Sequence, residues 1–177
     1  MPPRDALPVF RTRWAAPAAV GSGLLGVLAF PRFGMWPLAL VSVAGLSVAV
    51  DGRRPRSGAW LGLLYGLAFF VPLLRWTGVF VGAAPWLLLA AAEAVFCAGL
   101  GAVLVLVQRL PLAPVWVACA WVLQEALRDR LPFGGFPWGR LAFSQSESPL
   151  RWFAALGGAP LVSFAVARSG GALAVAV

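Results

Sequence analysis

The sequence contains no histidine, and none of its 14 basic residues is lysine. The first absence excludes a Ser-His-Asp or Cys-His nucleophilic site built from this chain alone. The second excludes a catalytic lysine. Acid is scarce too: six Asp and Glu against 14 Arg leave a formal net charge of +8. In a water-soluble protein that excess would point to nucleic acid. Here the arginines stand singly or in short groups between apolar runs, the pattern by which membrane proteins set their orientation, so no nucleic-acid partner is expected. Cysteine is limited to Cys97 and Cys119, each inside an apolar run. Both read as small packing residues, not as a disulfide or a metal site. No metal and no cofactor is expected.

What the chain has in excess is apolar length. Hydrophobic residues make up 61% and charged residues 11% of its 177 positions, against about 45–50% and about 25% in a typical soluble domain. The apolar residues come in runs approaching the roughly 20 residues that cross a bilayer. The fold class expected is therefore all-α: a polytopic membrane helix bundle forming one embedded domain over residues 1–177. Six spans are expected, at about 14–30, 35–50, 57–74, 85–107, 112–127 and 160–177, the last still apolar at Val177 and expected to be incomplete. Residues 128–159 form an outer interfacial loop region. The first run resembles a secretory signal peptide, but Pro31, Arg32 and further spans follow at once, favouring an uncleaved span.

Arginine placement suggests orientation. With the N-terminus in the cytoplasm, inner loops hold Arg4, Arg11, Arg13, Arg53, Arg54, Arg56 and Arg109. Outer loops hold Arg32, Arg75, Arg128, Arg130, Arg140 and Arg151. The two totals are close, but the first two inner segments are dense, and early positive charge usually dominates. Trp14, Trp36, Trp60, Trp76, Trp86 and Trp116 fall near span ends, where indole rings favour the headgroup level. In the third span Gly58, Gly62 and Gly66 share one helix face, which lets another helix approach closely.

Charges inside a bilayer need a reason. Glu93 and Arg168 each lie nine residues into their spans, roughly 12 Å deep at 1.5 Å per residue. One reading pairs them or turns both to a shared polar cavity. Another has Glu93 protonated, and Arg168 marking a sixth span broken at Gly170 and Gly171. Glu125, Arg128 and Asp129 close the fifth span and share one helix face by their i, i+3 and i+4 spacing. They read equally as an interfacial cluster that ends the helix or as the edge of an outward-facing site. The following stretch, Leu131-Pro-Phe-Gly-Gly-Phe-Pro-Trp138, has two prolines and two adjacent glycines, so it forms no regular helix. Phe133, Phe136 and Trp138 make it an aromatic loop at the membrane surface, either lining a lipid entry path or anchoring at the interface. The polar run Ser144–Ser148 follows.

At this loop the sequence resembles the membrane half of bacterial apolipoprotein N-acyltransferases. Three stretches carry the likeness: Leu28–Pro37; Gly62–Phe70 continuing to Trp76; and Trp121–Gln145. In the third, Glu125 and Arg128 precede Gly135-Phe-Pro-Trp138, and Phe143-Ser-Gln145 follows. Pro149-Leu150 and Gly157-Gly158 continue the pattern. The resemblance implies an enzyme of the bacterial cytoplasmic (inner) membrane with eight membrane helices and an outer nitrilase-like domain. Such an enzyme transfers an acyl chain from a phospholipid donor to the amine of the diacylglyceryl-cysteine that begins a lipoprotein substrate. A Glu-Lys-Cys triad does this through a thioester.

The chain departs from that pattern. With no lysine it cannot assemble the triad, and neither cysteine matches a nucleophile motif. It reads as an N-terminal fragment, inactive by itself, with no catalytic residue of its own. Glu125, Arg128, Phe136, Trp138 and Gln145 are the candidates for organising lipid access beneath the catalytic domain. A second reading makes the chain a membrane anchor or partner of a glycosyltransferase, specifically a polyprenol-phosphate mannosyltransferase. A third, a transport module, has only Glu93 and Arg168 behind it and no inverted repeat.

Overall fold

Prolines open three of the helices. Pro37, Pro55 and Pro114 each sit in a first turn, where the missing N–H has no intrahelical partner to lose. In the computed structural model, which describes residues 12–177, the elements are α1 (Thr12–Leu28), α2 (Pro37–Val50), α3 (Pro55–Leu73), α4 (Arg75–Val81), α5 (Ala83–Val107), α6 (Ala113–Arg128) and α7 (Ala154–Val175). Two 3-10 turns, Leu141–Gln145 and Pro149–Phe153, bridge α6 and α7. Arg4 and Arg11, used above for orientation, lie outside the described residues.

A helix occupies each of the six apolar stretches, and α4 is an addition. It fits because Gly82 takes a positive φ of 86° and turns the chain into α5. The Trp86 indole N–H also donates to the Val71 carbonyl at 3.0 Å, tying α5 back to α3. Helix α7 starts ahead of the expected Pro160. It is broken at Gly157 and Gly158, where φ is −150° and 64°. The break is therefore not at Gly170 and Gly171. Those two are buried within the helix, and a Cβ there would meet Val43 and Pro114 of neighbouring helices.

Packing partners close a ring in the order α1, α3, α5, α6, α7, α2 and back to α1, with α2 also reaching α3 and α5. Nine of the 14 residues of α2 are buried, so it is the most enclosed element. The α3–α5 crossing explains the glycine row. A Cβ on Gly58 would lie 2.5 Å from the Gly101 carbonyl oxygen, and one on Gly66 would lie 2.8 Å from Ala94 Cα. The partner face on α5 is Ala94, Cys97 and Gly101, all buried, so Cys97 is a small packing residue. Cys119 is instead exposed on the bundle surface.

Hydroxyls join α1, α2 and α3. Ser42 Oγ lies 2.7 Å from the Ser22 carbonyl oxygen and 2.8 Å from Tyr65 Oη. Since Ser42 has one hydroxyl proton and gives it to that carbonyl, Tyr65 is the donor in the second bond. Outside, large apolar side chains such as Leu88, Val95, Leu123 and Leu156 stand exposed. So extensive an apolar surface marks a membrane contact rather than a water-facing one. Among the described residues, three stretches are long and apolar enough to cross a bilayer: Pro55–Leu73, Ala83–Val107 and Pro149–Val175. Helix α2, with 14 residues, reaches only about 21 Å. The chain is a helical membrane protein.

Candidate functional site

The last turn of α6 turns one face inward, as the i, i+3 and i+4 spacing requires, and each of its three charged residues holds a different part of the loop that follows. Glu125 Oε1 accepts from the Leu141 backbone N–H at 2.9 Å. Arg128 Nη1 donates to the Phe136 carbonyl at 3.2 Å and to the Trp138 carbonyl. Asp129 pairs with Arg140. The backbone adds a reciprocal bond, since the Phe136 N–H donates to the Arg128 carbonyl at 3.0 Å. That bond satisfies one of the carbonyls a helix end leaves free. Ser163 on α7 accepts from the Ala142 N–H at 3.1 Å, so the loop is also fixed to the next helix.

Two glycines make this geometry possible. Gly135 has φ 76°, and a Cβ there would collide with the backbone of Asp129 and Arg130. Gly139 has φ 81°, and a Cβ would lie 2.9 Å from the Phe70 ring. The loop thus lies directly on the end of α6 and on the aromatic side chains of α3.

Arg128 is 1% exposed, and such a charge needs compensation. It comes from Glu93 on α5, whose Oε2 accepts from Arg128 Nη1 at 2.9 Å, and from the Phe70 ring, whose centroid lies 5.1 Å from the guanidinium carbon. The intramembrane partner of Glu93 is therefore Arg128, not Arg168. Helix α6 is a packing neighbour of α5, whereas α7 packs on α2 and α6 and leaves Arg168 exposed.

The other candidates separate. Trp138 is 46% exposed, and its ring stands 5.6 Å from Trp76 and 6.3 Å from Phe143. These three rings form an aromatic patch at the end of the bundle. The Phe136 ring instead packs against the hydrophobic core. Gln145 is fully buried, away from Arg128. Its Nε2 donates to Ser144 Oγ at 2.7 Å and to the Trp36 carbonyl at 3.4 Å, linking the loop to the α1–α2 turn. Ser144 and Ser148 are buried as well, while Ser146 and Glu147 of the same run are exposed. The sequence reading missed Phe70, Gly139, Ser163 and the Asp129–Arg140 pair. The positive charge density around Asp129 was the available signal for the last of these.

Between Tyr65, Cys97, Gln124, Glu125 and Arg128 lies a small cavity, with room for about one water. No lipid group fits there. Among the described residues, no three Cys, Asp or Glu side chains converge as metal ligands. The buried polar groups therefore act as a clasp on the loop, and the aromatic patch is the part left exposed.

Residues 22–172 match the family model of the apolipoprotein N-acyltransferase N-terminal domain. The chain is 48% identical over 157 residues to the apolipoprotein N-acyltransferase of Mycolicibacterium smegmatis, an alignment covering 86% of this chain and 26% of that protein. It is 33% identical over 163 residues to the one from Pseudomonas putida, covering 84% and 32%. With that from Azotobacter vinelandii the figures are 34% over 176 residues, covering 85% and 32%. The chain thus spans about a quarter to a third of the length of these relatives.

Proposed function

The chain belongs to the apolipoprotein N-acyltransferase family, and from that membership we propose that it builds the membrane platform of an enzyme that moves an acyl chain from a phospholipid to the N-terminal diacylglyceryl-cysteine of a bacterial lipoprotein. The observation that supports this most directly is the clasp of the aromatic loop by Glu125, Arg128 and Asp129. Both substrates of such a reaction are lipids that arrive in the plane of the bilayer. A rigidly held ring at the bilayer surface can guide them, whereas a mobile one would pay ordering entropy on each encounter. In this reading Trp138 touches lipid, and Phe136 anchors the loop. Glu125, Arg128 and Gln145 position it.

The nucleophile belongs elsewhere. These 177 residues include no lysine, so they cannot supply a Glu-Lys-Cys triad, and the chain alone should give no transfer. The location that follows is the bacterial inner membrane, with the N-terminus in the cytoplasm. The dense early group Arg53, Arg54 and Arg56 supports that orientation, since early positive charge usually dominates. Nothing in the site favours an anchor for a mannosyltransferase.

The experiment is Trp138→Ala in the full-length enzyme, with acyl transfer to a diacylated lipoprotein measured alongside the amount of folded protein. Transfer should fall severalfold at unchanged protein level. Transfer at the parent rate would reject the role.

A further inference from the structure

Two donors within the clasp have no protein acceptor. Among the described residues, Gln124 Nε2 and Arg128 Nε are both buried and unpartnered. Gln124 is 7% exposed and Arg128 1%. A buried donor without an acceptor is costly, more so on a cation. Both residues line the small cavity among α3, α5 and α6, and so does Glu125. Glu125 and Arg128 stand about one helical turn apart on α6 and are opposite in charge, yet no direct ion pair joins them. Arg128 pairs with Glu93 instead.

The cavity restricts its occupant by size and by bonding. It has room for about one water. Its occupant must accept from Gln124 Nε2 and Arg128 Nε and donate to the acceptors beside them. Those acceptors are present. The Glu125 carboxylate offers about four lone-pair sites, one of them taken by the Leu141 N–H. The Tyr65 hydroxyl gives its proton to Ser42 and keeps its lone pairs. A metal cation cannot accept a hydrogen bond, and a halide cannot donate one. Water does both, and two donors with two acceptors supply the roughly three bonds typical of a buried water. The loop supplies part of the wall through Gly139 and Leu141. Every residue lining the cavity is buried, so the site is cut off from bulk water while the loop is seated.

We propose that this cavity is a binding site for one ordered water, which bridges Gln124 and Arg128 to Glu125, so that the two charged residues form a water-separated pair. Two measurements on the full-length protein in micelles test it, and neither uses acyl transfer. The first is X-ray radiolysis with mass spectrometry. A pulse turns a bound water into a hydroxyl radical that attacks the side chains beside it, whereas radicals from bulk water reach exposed residues. Tyr65 and Trp121 line the cavity and are 2% and 4% exposed; Phe30, 6% exposed, does not line it. After correction for intrinsic reactivity, Tyr65 and Trp121 should be labelled severalfold faster than Phe30. Labelling of both at the Phe30 rate overturns the proposal. The second is Gln124→Met, which nearly conserves volume and removes the donor. Loss of a donor bonded to water lowers the midpoint of denaturant unfolding, whereas loss of an orphaned donor raises it. The midpoint should fall; a midpoint at or above the parent's overturns the proposal. Should Gln124→Met fail to fold, the radiolysis of the parent protein still decides.

Discussion

Removing Arg128 alone should cost more stability than removing Arg128 and Glu93 together. Both are almost fully buried, and Arg128 Nη1 bonds to Glu93, to the Phe136 carbonyl and to the Trp138 carbonyl. In Arg128→Leu, Glu93 is left as a buried carboxylate without its counter-charge, which costs about 3–5 kcal/mol. The loop carbonyls also lose a charged donor, a further loss that overlaps the first and does not simply add to it. Glu93→Leu is milder, about 3 kcal/mol, because the cation keeps two carbonyls and the Phe70 ring. The double leucine variant removes both charges at once. Replacing a buried ion pair by apolar residues is often near neutral, so only the loss of the loop contacts should remain, about 2–3 kcal/mol.

The assay is a denaturant titration of the purified full-length protein in mixed micelles. The loss in the double variant should be at least about 3 kcal/mol smaller than the sum of the two single losses, a size typical of strongly coupled neighbours. Limited proteolysis separates the two roles of Arg128. Cleavage near Gly134 should accelerate in Arg128→Leu and in the double variant but not in Glu93→Leu, because Glu93 does not touch the loop. Additive single losses, or an Arg128→Leu variant within about 0.5 kcal/mol of the parent, would refute the clasp.

The α3–α5 crossing predicts that Gly62→Val destabilises the protein by about 1–3 kcal/mol through overpacking. The added Cβ would press on the Cys97 carbonyl and approach Gly101 Cα to 3.1 Å. Gly99→Val, on a part of α5 with no neighbour near its Cβ position, should stay much closer to the parent in thermal stability; equal losses would contradict this packing. In the loop, Gly134→Ala and Gly135→Ala both carry the roughly 1–2 kcal/mol cost of positive φ. Only Gly135→Ala must push the loop off α6, since Gly134 faces open space. Protease cleavage of the loop should be faster in Gly135→Ala, and identical rates would argue against a loop seated on the helix end.

Helix positions were legible because apolar runs and prolines mark them directly. The glycine row of α3 announced a close partner but not which one. The answer was written in α5, where Ala94, Cys97 and Gly101 follow one another at helical spacing, but small residues in an alanine-rich run stand out poorly. The Glu93–Arg168 pairing failed for a geometric reason. Depth along the membrane normal is one coordinate of three, and the spacing of Glu125, Arg128 and Asp129 reads equally as a cluster that ends the helix or as the edge of an outward-facing site, neither of which places Arg128 against Glu93, 35 residues earlier. Its partner depends on α6 lying beside α5, and the order of helices round the bundle is not encoded in hydropathy. Helix α4 and the break at Gly157–Gly158 were hidden likewise, since both depend on single glycine conformations.

The polar and aromatic parts of the site divide the labour by size. Glu125, Arg128 and Asp129 are engaged by the loop backbone and by Arg140, and the space beside Glu125 and Arg128 admits about one water. A headgroup or acyl chain cannot reach Arg128 or Glu125 without displacing the loop they hold. Under the proposed function, buried substitutions act through where Trp138 stands, while Trp138 itself acts by contact. The two classes differ in what a second change can repair. Restoring charge balance inside rescues stability but leaves the loop unheld, and no interior change can replace a missing ring at the surface.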